Sequence, residues 1–169
     1  MKKKLNIKYR LILPIALLGI VALISNLLAV TNIRNVNDNA ANIADNYMAG
    51  KTHLARIHQS VMNIHKMALS HIVATDYSTM ITLVNNIKDA EAELDGMLAD
   101  YEIYISDDDR DTYNALLSDY DSLKHSLVFL VCASAASKTQ DAYAFANGDV
   151  ADCNTAVENS IRILDESIS

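Results

Sequence analysis

Four of the five histidines, His53, His58, His65 and His71, fall between residues 53 and 71, a density that invites a metal or haem site. Their intervals are five, seven and six. No pair stands at i,i+4, so one helix cannot bring two of these rings to a single tetrahedral ion from neighbouring turns. His71 falls on an apolar seam and is expected to be a hydrogen-bonded core histidine. Asp107-Asp108-Asp109 and Asp111 lack the alternate ligands, the Gly and the twelfth-position Glu of an EF-hand loop. They read as acid at a helix start, where the dipole favours it. We therefore expect no metal and no cofactor. Glu91 also falls on an apolar seam, where a lone carboxylate is costly to bury. Height matching sets it beside Met62 to Lys66, so Lys66 or His65 would neutralise it. Alternatively it lines a polar ligand pocket, in which Arg56 and Lys66 would hold the carboxylate of an amino acid or organic acid. The candidate ligand residues are thus Arg56, His65, Lys66 and Glu91. No Gly-rich phosphate loop, GxSxG elbow, HExxH pair or Cys-x-x-Cys is present, so no enzyme is expected.

The elements that must position these groups are helical. The chain has 169 residues, 51% of them hydrophobic, with one Pro, four Gly and no Trp. So few breakers exclude a sandwich, barrel or βαβ sheet. The formal charge of −7 hides an asymmetry, because residues 1–10 carry Lys2, Lys3, Lys4, Lys8 and Arg10. The remainder is strongly acidic, which argues against nucleic acid as a partner.

Leu11 to Val30 is a run of 20 uncharged residues, 16 of them hydrophobic. At about 1.5 Å per residue it spans a bilayer core of about 30 Å. The division expected is a basic cytoplasmic N-terminus over 1–10, a transmembrane helix over 11–32, and an extracytoplasmic domain over 33–169. The positive-inside rule orients the span in that sense, in a cell (plasma or inner) membrane. Pro14 falls in the first turn of the span, where its missing N–H costs little.

Beyond the span, Leu54, Val61 and Ala68 continue a heptad from Ile33, Ala40 and Tyr47, with Val36, Ile43, Ile57 and Ile64 on the alternate seam. This predicts a first helix to residue 74. Asp76 then offers an N-cap, and Tyr77, Met80, Val84, Ile87, Leu94, Leu98, Tyr101 and Ile105 predict a second helix over 77–105. A Ser106 cap opens a third, 107–137, with its seam at Tyr113, Leu116, Tyr120, Leu123, Leu127 and Leu130. Ser137-Lys138-Thr139-Gln140 matches a capping box for a fourth, 138–169, whose seam is Tyr143, Ala146, Val150, Cys153, Val157 and Leu164. Its register passes through Asn147-Gly148-Asp149 without slipping, so the triplet reads as helical, although an Asn-Gly pair also suits a turn. Short connections then give an all-α, up-down-up-down four-helix bundle. With the turn at residues 137–138, Cys132 and Cys153 differ in height by roughly 15 Å. A disulfide needs Cα atoms within about 7 Å, so two separate thiols are expected.

A basic N-terminus, an apolar span leading into four long amphipathic helices and an acidic outer bundle resemble the sensor region of bacterial methyl-accepting chemotaxis proteins. Ala144 to Val150 followed by Ile161 to Ile168 is similar to the way that family's last helix approaches the membrane. The resemblance covers essentially the whole chain and is architectural. It implies a small-molecule ligand and a homodimer. It also implies a kinase and an adaptor engaged only through a cytoplasmic part beyond Ser169, since the last helix stops in mid-pattern. A second apolar span within about 25 residues is expected there. The same bundle is similar to input domains of histidine kinases and cyclic-dinucleotide enzymes. A different reading is a membrane-anchored helical interaction protein that binds no small ligand.

The first helix carries a second apolar stripe, Ala41, Ala44, Met48, Ala55, Met62, Leu69 and Ile72, about 50° round from its core seam. We expect a parallel homodimer whose interface comprises Met48, Ala55, His58, Met62, His65 and Leu69. A merely widened core face is the simpler reading of the stripe. With His58 and His65 near the dimer axis, dimerisation should weaken between about pH 7 and 5.

Overall fold

The computed structural model describes residues 7–168. Lys2, Lys3 and Lys4, and with them most of the basic N-terminus, lie outside the described residues. The chain divides into two compact units, Met1–Asp45 and Asn46–Ser169, and α1 (Ile7–Val73) contributes to both.

In the first unit α1 is apolar and exposed, with Leu13, Leu18, Leu23 and Leu27 all turned outward. Among the described residues it is the one helix long and apolar enough to cross a membrane, with mean hydropathy 2.5 over a window of which nothing is buried. The helix begins at Ile7, so Pro14 lies inside it rather than in its first turn. It therefore removes one helical hydrogen bond instead of filling a position that needs none.

The second unit is a four-helix bundle: the end of α1, α2 (Tyr77–Tyr101), α3 (Arg110–Ala135), and a last helix in two pieces, α4 (Thr139–Asn147) and α5 (Asp149–Ser167). Every described element is helical. The core follows the apolar seams. Leu54, Ile57, Val61, Ile64 and Ala68 of α1 meet Ile87, Leu94 and Leu98 of α2, Leu116, Leu123 and Leu127 of α3, and Val150, Val157 and Leu164 of α5. Each fully buried Leu or Ile contributes about 1.5–3 kcal/mol. Cross-helix contacts fix the antiparallel order. Tyr113 Oη donates to the Leu98 carbonyl at 2.7 Å, and Ser160 Oγ donates to Asp119 Oδ2 at 2.8 Å.

Helix ends decide the tips. Asp76 caps α2 as expected, accepting from Thr79 N at 2.8 Å and from its hydroxyl at 2.6 Å. At the other end of α2, Glu102–Tyr104 form a 3-10 turn, so that helix closes four residues before the expected 105. The third helix starts at Arg110, not 107, and ends at Ala135 rather than 137. Ser106 Oγ instead closes a tight turn, accepting from Asp109 N at 3.2 Å and donating to Asp109 Oδ2 at 2.6 Å.

The capping box at 137–140 does not form, since α4 has no side-chain cap. Ser137 takes φ 61°, Lys138 N bonds to Ala133 O and Ser137 N to Ser134 O, both at 3.0 Å. This is a Schellman closure of α3, in which backbone groups satisfy the last carbonyls.

The continuous fourth helix is also corrected. Gly148, at φ −108° and ψ −109°, leaves the helix, ending α4 and opening α5. The register of the seam nevertheless passes through the break, with Ala146 before it and Val150 after it both buried as expected. Ala142 and Ala146 are buried in α4, whereas Tyr143, expected inside, is 48% exposed.

Candidate functional site

The four candidate ligand residues do not converge. Arg56 and Lys66 line one groove, Glu91 another and His65 neither of these, because height along a bundle does not set which way a helix face turns. Arg56 and Lys66 lie in the groove between α1 and α2, a space of about 800 Å³ also lined by Gln59, Asn63 and Glu93. Ten residues apart on one helix, they stand about 15 Å from each other. They could hold the two ends of an extended anion but not one carboxylate together. Glu93, across the groove, already supplies an acid between them.

His65 belongs with α5. Burial pushes its imidazole below the usual histidine value, and the Glu158 carboxylate draws it partly back. His58 lines the neighbouring α1–α5 groove of about 430 Å³ with Glu158, Arg162 and Asp165. The acidic neighbours of both rings thus come from their own chain. The pH response expected of His65 accordingly moves to lower pH than an exposed histidine would show.

Glu91 faces α3, not α1. The pairing with Lys66 or His65 is overturned: Glu91 borders a groove of about 240 Å³ formed by Val84, Ile87 and Lys88 of α2 with Leu127, Val128, Val131 and Cys132 of α3. Burial raises its carboxyl above the usual range, Lys124 opposes that, Asp95 adds to it and Lys88 opposes it more weakly. Lys124 is engaged elsewhere, 3.3 Å from Asp95 and 3.8 Å from Asp121, with its ammonium 4.7 Å from the centre of the Tyr120 ring.

Two further polar features sit in the core. His71, 1% exposed, shares a hydrogen bond of 2.9 Å between its Nδ1 and Ser134 Oγ, while that hydroxyl donates to the His71 carbonyl at 3.0 Å. A serine has one proton to give, so His71 Nδ1 carries the other and the ring is the neutral Nδ1–H form. The expected hydrogen-bonded core histidine is there, and burial holds it below the ordinary value. At the opposite end Tyr101 is fully buried among Tyr104 and Tyr113, with ring centroids 6.0 and 6.3 Å away. Its hydroxyl has no partner, and burial, with Asp109 and Asp165 nearby, pushes it up to about 12. Gly50 of α1 lies against that cluster, and a Cβ there would meet the Tyr104 ring at 3.5 Å, an ordinary packing distance. Neither Ser134 nor Tyr101 stood out in the sequence as chemistry. The one available signal for Tyr101 was its place on a seam of leucines.

Among the described residues no cluster of three or more metal-ligating side chains occurs. Cys132 and Cys153 are separate thiols. Cys153 Sγ lies 3.4 Å from Ser126 Oγ, six residues below Cys132 on α3.

Of the expected interface residues, Met48, Met62 and Leu69 are 63, 45 and 40% exposed, Ala55 and His58 are exposed, and His65 is half-buried. Ile72, counted with the same stripe, is 7% exposed and belongs to the core.

The family model for a four helix bundle sensory module for signal transduction matches residues 4–166. The chain belongs to that family. Comparison with curated proteins and with solved structures returns no match. As a sensory module the bundle is a signalling input.

Proposed function

We propose that this sensory module is the extracytoplasmic input domain of a methyl-accepting chemotaxis receptor. It binds a small molecule between helices and passes a small helix displacement to the membrane. The observation that carries this reading is α1 itself, one element that supplies both an exposed apolar stretch of membrane length and the first helix of the bundle. A shift of α1 within the bundle moves the segment that would cross the membrane. The arrangement proposed is a cytoplasmic N-terminus over 1–10, a span over 11–32 and the sensor from 33 to 169, the basic N-terminal residues supporting that orientation. The grooves support ligand binding: three of them, between 240 and 800 Å³, combine charged and apolar walls.

The module acts as a parallel homodimer through α1, with Met48, Ala55, His58, Met62, His65 and Leu69 in contact. Exposed methionine and leucine on a helix whose other face is fully buried support this. The kinase and adaptor of such a receptor would be reached through a cytoplasmic part.

A thermal-shift screen of the full chain in detergent against amines, amino acids, organic acids and aromatics tests the reading. A ligand at a hundredfold excess over its Kd should stabilise the bundle by about 2.7 kcal/mol. If no class of compound moves the midpoint, the bundle is an interaction module rather than a sensor.

A further inference from the structure

The α2–α3 groove joins two features that the bundle itself does not use. Its walls are apolar, from Val84 and Ile87 on one side and Leu127, Val128 and Val131 on the other. At its border stands Glu91, half-buried, and no described residue gives it a hydrogen bond or an ion pair within 4 Å. The nearest strong cation, Lys124, is committed to Asp95 and Asp121. Lys88 shares the groove but is exposed, one helical turn from Glu91, so its charge is screened by water while that of Glu91 is partly desolvated. A carboxylate held in this way at the edge of a hydrocarbon surface lacks a donor, and an ammonium on an apolar body supplies one.

We infer that the α2–α3 groove is a binding site for a small primary ammonium compound with a branched or monocyclic hydrocarbon body, its ammonium on Glu91 and its hydrocarbon against Val84, Ile87, Leu127 and Val131. The volume of about 240 Å³ falls below the range for drug-sized ligands and sets the size. The net charge of −7 draws cations toward the chain. Two sources share this chemistry, a simple amine and an apolar amino acid. The second would place its carboxylate toward Lys88. The inference rests on the sensor reading above and names a ligand class and a site for it.

Cys132 lines the groove and is exposed, which makes it a reporter, and Cys153, packed by Ser126, is the internal control. The full chain in detergent is treated with iodoacetamide in the presence of 3-methylbutylamine, leucine or 4-methylpentanoate, and the alkylation of each cysteine is followed by mass spectrometry. Amine or leucine at a hundredfold excess over Kd should slow Cys132 at least about tenfold and leave Cys153 unchanged. Glu91→Gln should abolish the protection, and Lys88→Ala should reduce it for leucine alone if the amino acid is the natural source. Circular dichroism checks that both variants remain folded. Equal protection by 4-methylpentanoate, full protection in Glu91→Gln, or none from any probe overturns the site. A screening compound that stabilises wild type and Glu91→Gln alike would leave the sensor reading standing and remove this site. Absence of any stabilising compound would remove the sensor reading itself.

Discussion

Ser134→Ala perturbs the distal end of the bundle at one hydroxyl. In the wild type that oxygen accepts from His71 Nδ1–H at 2.9 Å and donates to the His71 carbonyl at 3.0 Å, tying the end of α1 to the end of α3. Removing it orphans a buried donor, and the carbonyl belongs to the last turn of α1, where no intrahelical partner exists. A buried donor without a partner costs about 1–3 kcal/mol, so about 2 kcal/mol is expected here. At roughly 4 °C per kcal/mol for a domain of this size, the midpoint should fall by about 8 °C. His71→Phe removes the donor while keeping an aromatic ring. In the double variant nothing polar is left unpaired on the side chains, so its cost should be smaller than the sum of the two by about 1 kcal/mol or more. The pH dependence supplies an independent check. The folded pKa of His71 lies below its unfolded value near 6.5, so the unfolded chain binds more protons between the two. Stability is therefore full above about pH 6.5 and declines as the pH falls toward the folded value. His71→Phe should lose its share of that decline. Thermal and urea unfolding followed by circular dichroism at several pH values would read both effects. Additive single costs with an unchanged pH profile would refute the assignment of a neutral Nδ1–H histidine.

Glu91→Gln should raise the midpoint at pH 7. The carboxyl is held above its ordinary range by burial, so its ionisation costs stability as pH rises, and the gain should vanish where the wild-type group is protonated. Gly148→Ala should cost about 1 kcal/mol, although replacing a Gly inside a regular helix normally gains about that much. The added Cβ would sit 3.0 Å from the Ala144 carbonyl, and a rise in the denaturation midpoint would show that the segment can straighten. Met62→Lys should convert the proposed dimer to monomers in sedimentation, and an unchanged mass would move the interface off α1.

The seams were legible because a buried helix face repeats every 3.6 residues, and Leu54 to Ala68, Leu94, Leu123 and Val157 needed nothing else. Tyr143 was misplaced for a physical reason. Ala142, Ala146 and Val150 follow one another at four-residue steps on the buried edge, so the core position one turn before Ala146 falls to Ala142 and not to Tyr143, which a three-residue step had placed there. The Ser137 turn was misread because a Ser-x-x-Gln pattern fits a capping box, while the chain adopts a left-handed serine and closes with backbone alone. The sites were less legible than the core. Counting residues from a turn does not give the rotation of a side chain about its helix, so Glu91 faces α3 and not the partner sought for it on α1. Arg56 and Lys66 were correctly assigned to one helix, yet only the packing of α2 shows that Glu93 stands opposite them.

The interruption at Gly148 has a mechanical side. An unbroken α-helix resists axial load and torsion along its whole length, as a strut does. The last helix is instead a jointed rod, its two segments coupled by the bonds from Gly148 N to Ala144 O at 2.9 Å and from Asp152 N to Gly148 O at 3.0 Å. α5 can therefore turn about its own axis without dragging the nine residues of α4 with it. A torque applied to α5 is absorbed at the joint, whereas α1, α2 and α3 each run through the bundle as one unbroken helix.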